Sequence, residues 1–188
     1  MYWAIVIIAG LALVAALLYN RLVRDRNRVD AAWSDIDVQL QRRHDLIPQL
    51  VRAVDQYAGY ERATLEAVTG LRAEAIDLAS RARPRELGRK EAELSDGVEK
   101  LIAVAESYPD LKADENFLNL QKELAETENY LQFARRFYNG SVRQLNTRIE
   151  SVPSNFVASL FGFEPRDFYQ KTSDEAANVP LVAFGQVE

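Results

Sequence analysis

The chain opens on an apolar run, Tyr2 to Tyr19, and changes character at once in Asn20-Arg21-Leu22-Val23-Arg24-Asp25-Arg26-Asn27-Arg28. A helix of about 18 to 20 such residues matches the roughly 30 Å hydrocarbon core of a bilayer. Tyr2 and Trp3 at one end and Tyr19 at the other lie where the membrane–water boundary favours aromatic rings. From Val29 onward the pattern is amphipathic. Apolar and small residues fall at Val29, Trp33, Ile36, Leu40, Ile47, Val51, Val54, Ala58, Leu65, Val68 and Ala75, in steps that mark one stripe down a helix. A second stripe runs Leu94, Val98, Leu101, Ala105, Tyr108. A third runs Phe117, Leu120, Leu124, Thr127, Leu131, Ala134, Tyr138, Val142, Leu145, Ile149, Val152. No segment alternates as a strand would, so the pattern predicts an all-α fold.

The breaks divide the chain. Arg83-Pro84-Arg85 and Gly88 end the first segment, Tyr108-Pro109-Asp110 the second, and Val152-Pro153-Ser154-Asn155 the third. Pro153 can open a short last helix, Ser154 to Phe161, before Gly162. Pro48 frees the carbonyl of His44 and predicts a kink; Gly59 and Gly70 are further places where the first helix can break. Beyond Glu164-Pro165 the composition turns polar and irregular, apart from Val179-Pro180-Leu181-Val182-Ala183-Phe184, and predicts an extended arm. The resulting organisation is a transmembrane anchor over residues 1–20, an elongated antiparallel bundle of three long helices and a short fourth over 21–163, and a tail over 164–188.

Charge refines the picture. Arg21, Arg24, Arg26 and Arg28 crowd the C-terminal flank of the apolar run. A cleaved signal peptide would carry its basic residues ahead of the apolar core, so a retained single-pass anchor is the better reading. Positively charged flanks stay in the cytoplasm, which places Met1 outside and the bundle inside. The arginines set topology and can also meet anionic lipid headgroups. The net charge of −5 belongs to the soluble part and argues against nucleic-acid binding. The chain has no cysteine, which removes disulfides, lipobox acylation and thiolate metal sites.

If unbroken, the first helix would be roughly 80 Å long, against roughly 33 Å and 55 Å for the next two. Up-down-up packing of such lengths leaves apolar stripe uncovered near the membrane. Either the first helix folds back near Gly59 or Gly70, or neighbouring chains cover the overhang. Trp33, Ile36, Leu40 and Ile47 on that stripe, with Phe156, Leu160, Phe161 and Phe163 at the end of the bundle, are the candidate interface for a homo-oligomer. The aromatic cluster can instead cap the bundle, or touch lipid headgroups.

The residues then show a family resemblance. Ala32-Trp33-Ser34-Asp35-Ile36-Asp37-Val38-Gln39-Leu40-Gln41-Arg42-Arg43-His44-Asp45-Leu46-Ile47-Pro48-Gln49-Leu50-Val51 resembles the signature of the LemA family. So do Tyr108-Pro109-Asp110-Leu111-Lys112, Thr127-Glu128-Asn129, Ala134-Arg135-Arg136-Phe137-Tyr138-Asn139, Pro153-Ser154-Asn155 and Phe161-Gly162-Phe163. The resemblance covers residues 20–163. It implies a bacterial membrane protein with one N-terminal transmembrane helix, an antiparallel four-helix bundle and no known catalytic activity. Some relatives carry a lipobox cysteine and are exported; this chain has none.

Enzyme readings fail on inventory. His44 is the only histidine, so paired Glu-x-x-His metal sites cannot form, and Gln41 stands where the carboxylate would be. No Gly-x-Ser-x-Gly elbow presents a serine, no glycine-rich loop cradles phosphate, and Asp35 and Asp37 point to different helix faces. A lone histidine on an apolar stripe reads as core. Thr127, Asn129, Arg135, Asn139 and Asn146 read as exposed or as interhelical hydrogen bonders that fix register. No catalytic residue, metal site, cofactor or small-molecule substrate is expected. The expected function is a non-enzymatic, membrane-anchored scaffold that self-associates at the bacterial inner membrane. The alternative is an adaptor docking a membrane partner, such as a protease or a signalling protein.

Overall fold

In the computed structural model, which describes residues 2–58, 62–81 and 83–169, the apolar run and the first half of the first stripe form one helix. This is α1 (Tyr2–Ala58), about 85 Å long at 1.5 Å per residue. It continues through Pro48. Proline removes the N–H that would bond the carbonyl of His44, four residues back. That carbonyl is not orphaned, because Arg72 of α2 (Arg62–Ser80) donates its Nε–H to it at 2.6 Å. The predicted stripe is two helices, α1 ending at Ala58 and α2 starting at Arg62, and Gly70 lies inside the second. Gly88, predicted as a break, is buried inside α3 (Pro84–Ala105), whose first residue Pro84 has the fixed φ that suits a helix start. After the single turn α4 (Pro109–Lys112), Asp114 caps α5 (Glu115–Glu150) by accepting from the Phe117 N–H at 2.9 Å. The short α6 (Ser154–Leu160) completes six helices among the described residues.

The helices run antiparallel, down α1, back along α2, down α3 and up α5. Arg42–Glu123, Trp33–Tyr138 and Asp25–Arg148 contacts fix the α1–α5 register. The side of Gly97 on α3 faces Val68 and Leu71 of α2, and a Cβ there would sit 3.3–3.4 Å from their methyl groups. Two apolar clusters fill the bundle. The distal one joins α1, α2, α3, α4 and α5 through Leu46, Leu50, Val68, Leu94, Leu101, Leu111 and Phe117. The proximal one, nearer the apolar run, joins α1, the start of α3, α5, α6 and the residues after α6 through Leu22, Ile36, Leu40, Leu87, Leu131, Val142, Leu145, Ala158 and Tyr169.

Between the clusters lies a polar layer. Buried Glu91 of α3 meets His44 Nε2 at 2.7 Å and Arg43 Nη1 at 3.2 Å, and the same Arg43 nitrogen lies 3.3 Å from Glu128. Arg43 also donates to Ser95 at 2.8 Å. The layer falls between Leu40 and Leu46 on α1, Leu87 and Leu94 on α3, and Leu124 and Leu131 on α5. Buried ion pairs contribute little net stability but make other registers costly, because a slip leaves a charge unpaired.

In the proximal half the tail takes the place of a helix. Gly162, at φ 67°, closes α6, with the Phe163 N–H donating to Ala158 at 2.9 Å. Such a left-handed residue is the ordinary place for glycine past a helix end. The chain then runs extended along α5. Asn146 exchanges both of its amide hydrogen bonds with the Arg166 backbone, and Asn139 does the same with Tyr169, all at 2.9 Å. The spacing explains the match. Seven residues of helix advance about 10.5 Å, and three residues of extended chain advance about 10 Å. Tyr138 donates its hydroxyl to the Asp167 carbonyl at 2.9 Å, and Trp33 packs 6.3 Å from the Tyr169 ring. The predicted extended arm is therefore, over residues 163–169, a strap on the bundle. Val179–Phe184 lies outside the described residues.

Candidate membrane and protein interfaces

Three surfaces on this frame expose large apolar side chains. The first is the apolar run itself. Tyr2, Trp3, Ile5, Val6, Ile7, Ile8, Leu11, Leu13, Val14 and Leu17 are exposed, and the run is long and apolar enough to cross a bilayer. A protein in water does not leave a helix this apolar uncovered. Its lower end joins the bundle: Ala15 and Leu18 pack against the proximal cluster, and Leu22 is wholly buried. The flanking Arg21, Arg24, Arg26 and Arg28 are all exposed. Two of them lie over aromatic rings, Arg26 at 5.2 Å from Phe163 and Arg28 at 5.1 Å from Phe137.

The second surface is an open groove of about 340 Å³ between α1 and α5. Tyr130, Phe133 and Phe137 recur at three- and four-residue spacing along one face of α5, and Val38 faces them from α1. Phe133 and Val38 are each 64% exposed. Asp35 lines the groove, while Arg136 lies 4.7 Å over the Phe133 ring. The groove is thus apolar at its floor and carries both signs of charge at its edge, the arrangement of an interface core and rim.

The third surface lies where α5 turns into α6. Phe156 and Leu160, four apart, face outward with Val152 and Phe161, while Val157 and Ala158 face the core. Tyr19 of α1 packs against Phe161 at 4.8 Å and Phe163 at 5.8 Å. The buried Ser154 hydroxyl is in reach of the Arg148 and Ser151 carbonyls, at 2.7 and 2.9 Å, and ties the turn to α5.

The residues expected to face a second chain divide on this evidence. Ile36, Leu40 and Ile47 are at most 1% exposed in the chain's own core, and Phe163 is buried there too. Trp33 is half-buried against Tyr138, with ring centroids 5.4 Å apart. The fold-back into α2 and α3, together with α5 and the strap, has covered that stripe, so Ile36, Leu40, Ile47 and Phe163 lie in the chain's own core and Trp33 is partly covered beside it. Phe156, Leu160 and Phe161 remain on the surface. The expectation passed over Val38, Tyr130, Phe133 and Phe137. Their spacing along the third segment was the available signal, but the neighbouring stripe through Leu131 and Tyr138 masks it. It also passed over Glu91, which continues the rhythm of Leu87, Leu94 and Val98 and so places a carboxylate at a core position. His44 is buried against that carboxylate. Burial raises both strap-side tyrosines, Tyr138 and Tyr169, to a pKa of about 12.

The chain is 23% identical to Magnetosome protein MamQ 2 of Paramagnetospirillum magneticum, over 94% of its own length and 73% of that protein. It is 26% identical to Protein LemA of Metamycoplasma hominis, over 85% and 72% of the two lengths. It is 20% identical to Magnetosome protein MamQ of Magnetospirillum gryphiswaldense, over 95% and 74%. The LemA family model matches residues 32–184, a stretch that holds the polar layer, the aromatic groove and the strap. The chain belongs to the LemA family.

Proposed function

We propose that this protein is a non-enzymatic, single-pass membrane scaffold whose bundles associate with one another through the α1–α5 groove. The observation that carries the reading is the row Tyr130, Phe133 and Phe137 with Val38, exposed along the groove between α1 and α5. Large aromatic side chains at helical spacing are the usual anchors of helix-to-helix docking. The mixed charges at the groove edge suit a second copy laid against the first, which offers the same charges in return. The single histidine supports a non-catalytic role, since its ring is buried and paired with Glu91. Relatives named as magnetosome proteins fit an assembly role more readily than a metabolic one. The exposed arginine flank supports an N-terminus outside the bacterial inner membrane and a bundle in the cytoplasm; a periplasmic signal from a reporter fused after Glu188 would reverse that placement.

The test is the mass of the full-length protein in mild detergent, for the parent and for Phe133→Glu with Phe137→Lys. The reading expects one homo-oligomer that falls to monomer in the double variant at unchanged melting temperature. A monomeric parent would instead favour an adaptor, with the groove holding a partner's helix.

A further inference from the structure

The bundle carries a second apolar surface that self-association through the groove does not use. Residues 151–163 contain no Asp, Glu, Lys or Arg, although Glu150 and Glu164 stand on either side. Their outward face, Val152, Phe156, Leu160 and Phe161, is 55–78% exposed. The location supplies the reason: Phe161 touches Tyr19, the aromatic residue at the end of the apolar run. The patch is therefore level with the depth at which α1 leaves the hydrocarbon. Beside it, a groove of about 610 Å³ is lined by Leu18, Arg21 and Arg143. Neither arginine pairs with a carboxylate among the described residues.

We propose that the α5–α6 turn is a second, interfacial membrane contact, with Phe156, Leu160 and Phe161 seated among the upper acyl chains and Arg21 and Arg143 against phosphates of anionic lipids. An uncharged aromatic face flanked by basic residues is the chemistry of interfacial insertion. The contact is continuous with the lipid-facing run, so a bilayer is its occupant rather than another protein. It would hold the bundle against the membrane surface at two points, which α1 alone, a single rod, cannot do. The inference rests on α1 spanning the bilayer.

Tryptophan reporters in the full-length chain carrying Trp3→Phe separate the two claims. Leu160→Trp and Phe156→Trp each replace a surface side chain that makes little packing. Leu13→Trp reports on the span, and the partly buried Trp33 supplies the background. In phosphatidylcholine vesicles brominated near the headgroup end of the acyl chains, emission from Leu160→Trp and Phe156→Trp is expected to shift to the blue and be quenched. Leu13→Trp should be quenched most by deeply placed bromine. Quenching of Leu13→Trp without quenching at 160 and 156 overturns the second contact alone, including the case in which a blue shift without quenching shows a second copy on the patch. No quenching at any of the three overturns the span as well. Adding phosphatidylglycerol should increase quenching at 160, and Arg143→Gln should remove the increase; a parent that ignores phosphatidylglycerol overturns the assignment of the arginines.

Discussion

The two halves of this bundle solve the same packing problem with different parts. Beyond the polar layer, α1 is covered by helices: α2, α3 and α5 close a four-helix core containing Leu50, Val68, Leu101 and Phe117. On the membrane side α2 and α3 contribute only their last and first turns, through Leu78, Ala79 and Leu87, and α1 otherwise packs on α5, the short α6 and the extended strap. The distal half is held by area, with apolar side chains buried on all sides. The proximal half relies more on directional bonds, the asparagine amides, the Tyr138 hydroxyl and the Asp25–Arg148 pair at 2.6 Å. Such bonds require one register and one partner, so the proximal half can be opened by single polar changes that the distal half would absorb.

The largest effect should come from the boundary. Glu91→Ala leaves His44 buried without its carboxylate and Arg43 with Glu128 alone. It is expected to cost about 3–5 kcal/mol, a fall in Tm of roughly 10 °C in thermal unfolding. Replacing Arg43, His44 and Glu91 together with leucine or methionine should recover most of that loss. If it does not, the layer stabilises the bundle rather than fixing its register.

Next in size, Asn139→Ala with Asn146→Ala removes both amide clamps and should cost about 1–3 kcal/mol. The strap would become sensitive to trypsin at Arg166, while amide exchange in α2 and α3 stays as it was. Alkali should act on the same half. Tyr138 and Tyr169 hold their protons to about pH 12 when folded, whereas free tyrosine ionises near pH 10. Their contribution is complete below pH 10 and is lost as the pH rises toward 12. Loss of strap protection ahead of α2–α3 protection over that interval is the expected order.

A smaller effect concerns the proline. Arg72→Ala should cost about 1–2 kcal/mol by orphaning the His44 carbonyl. In a Pro48→Ala background, where an N–H again reaches that carbonyl, the cost should shrink; equal costs in both backgrounds would show that Arg72 does something else. Smallest of all, Gly70→Ala on the exposed face of α2 meets no atom within 4 Å. It should stabilise the distal half by about 0.5–1 kcal/mol through helix propensity.

The difference between the halves also explains what could be read in advance. Helices over most of their length, their breaks at Pro84, Pro109 and Pro153, and the extended character of residues 164–169 follow from periodicity and local residue chemistry. α1 continues as helix through Pro48, and what could not be read in advance is the donor to the freed His44 carbonyl, Arg72, twenty-eight residues further along the sequence. Placing Ile36, Leu40 and Ile47 at an interface failed for a similar reason. An apolar stripe states that it will be covered, and the fold-back into α2 that covers part of it depends on long-range packing. Asn139 and Asn146 were visible as register-fixing polar residues on the third segment, but their partner, a strap of matched pitch, was not. The groove at Phe133 was obscured because a second aromatic row runs beside the core row on the same helix.

The most direct measurement uses the absence of cysteine from the chain. Phe133→Cys and, on the exposed face of α2, Glu66→Cys are purified full length, reconstituted alone in vesicles and treated with a soluble maleimide. If copies of the bundle cover the α1–α5 groove, position 66 labels fully while position 133 stays protected until detergent separates the copies. Equal labelling at the two positions in the intact vesicles would show the groove open to water and contradict the account.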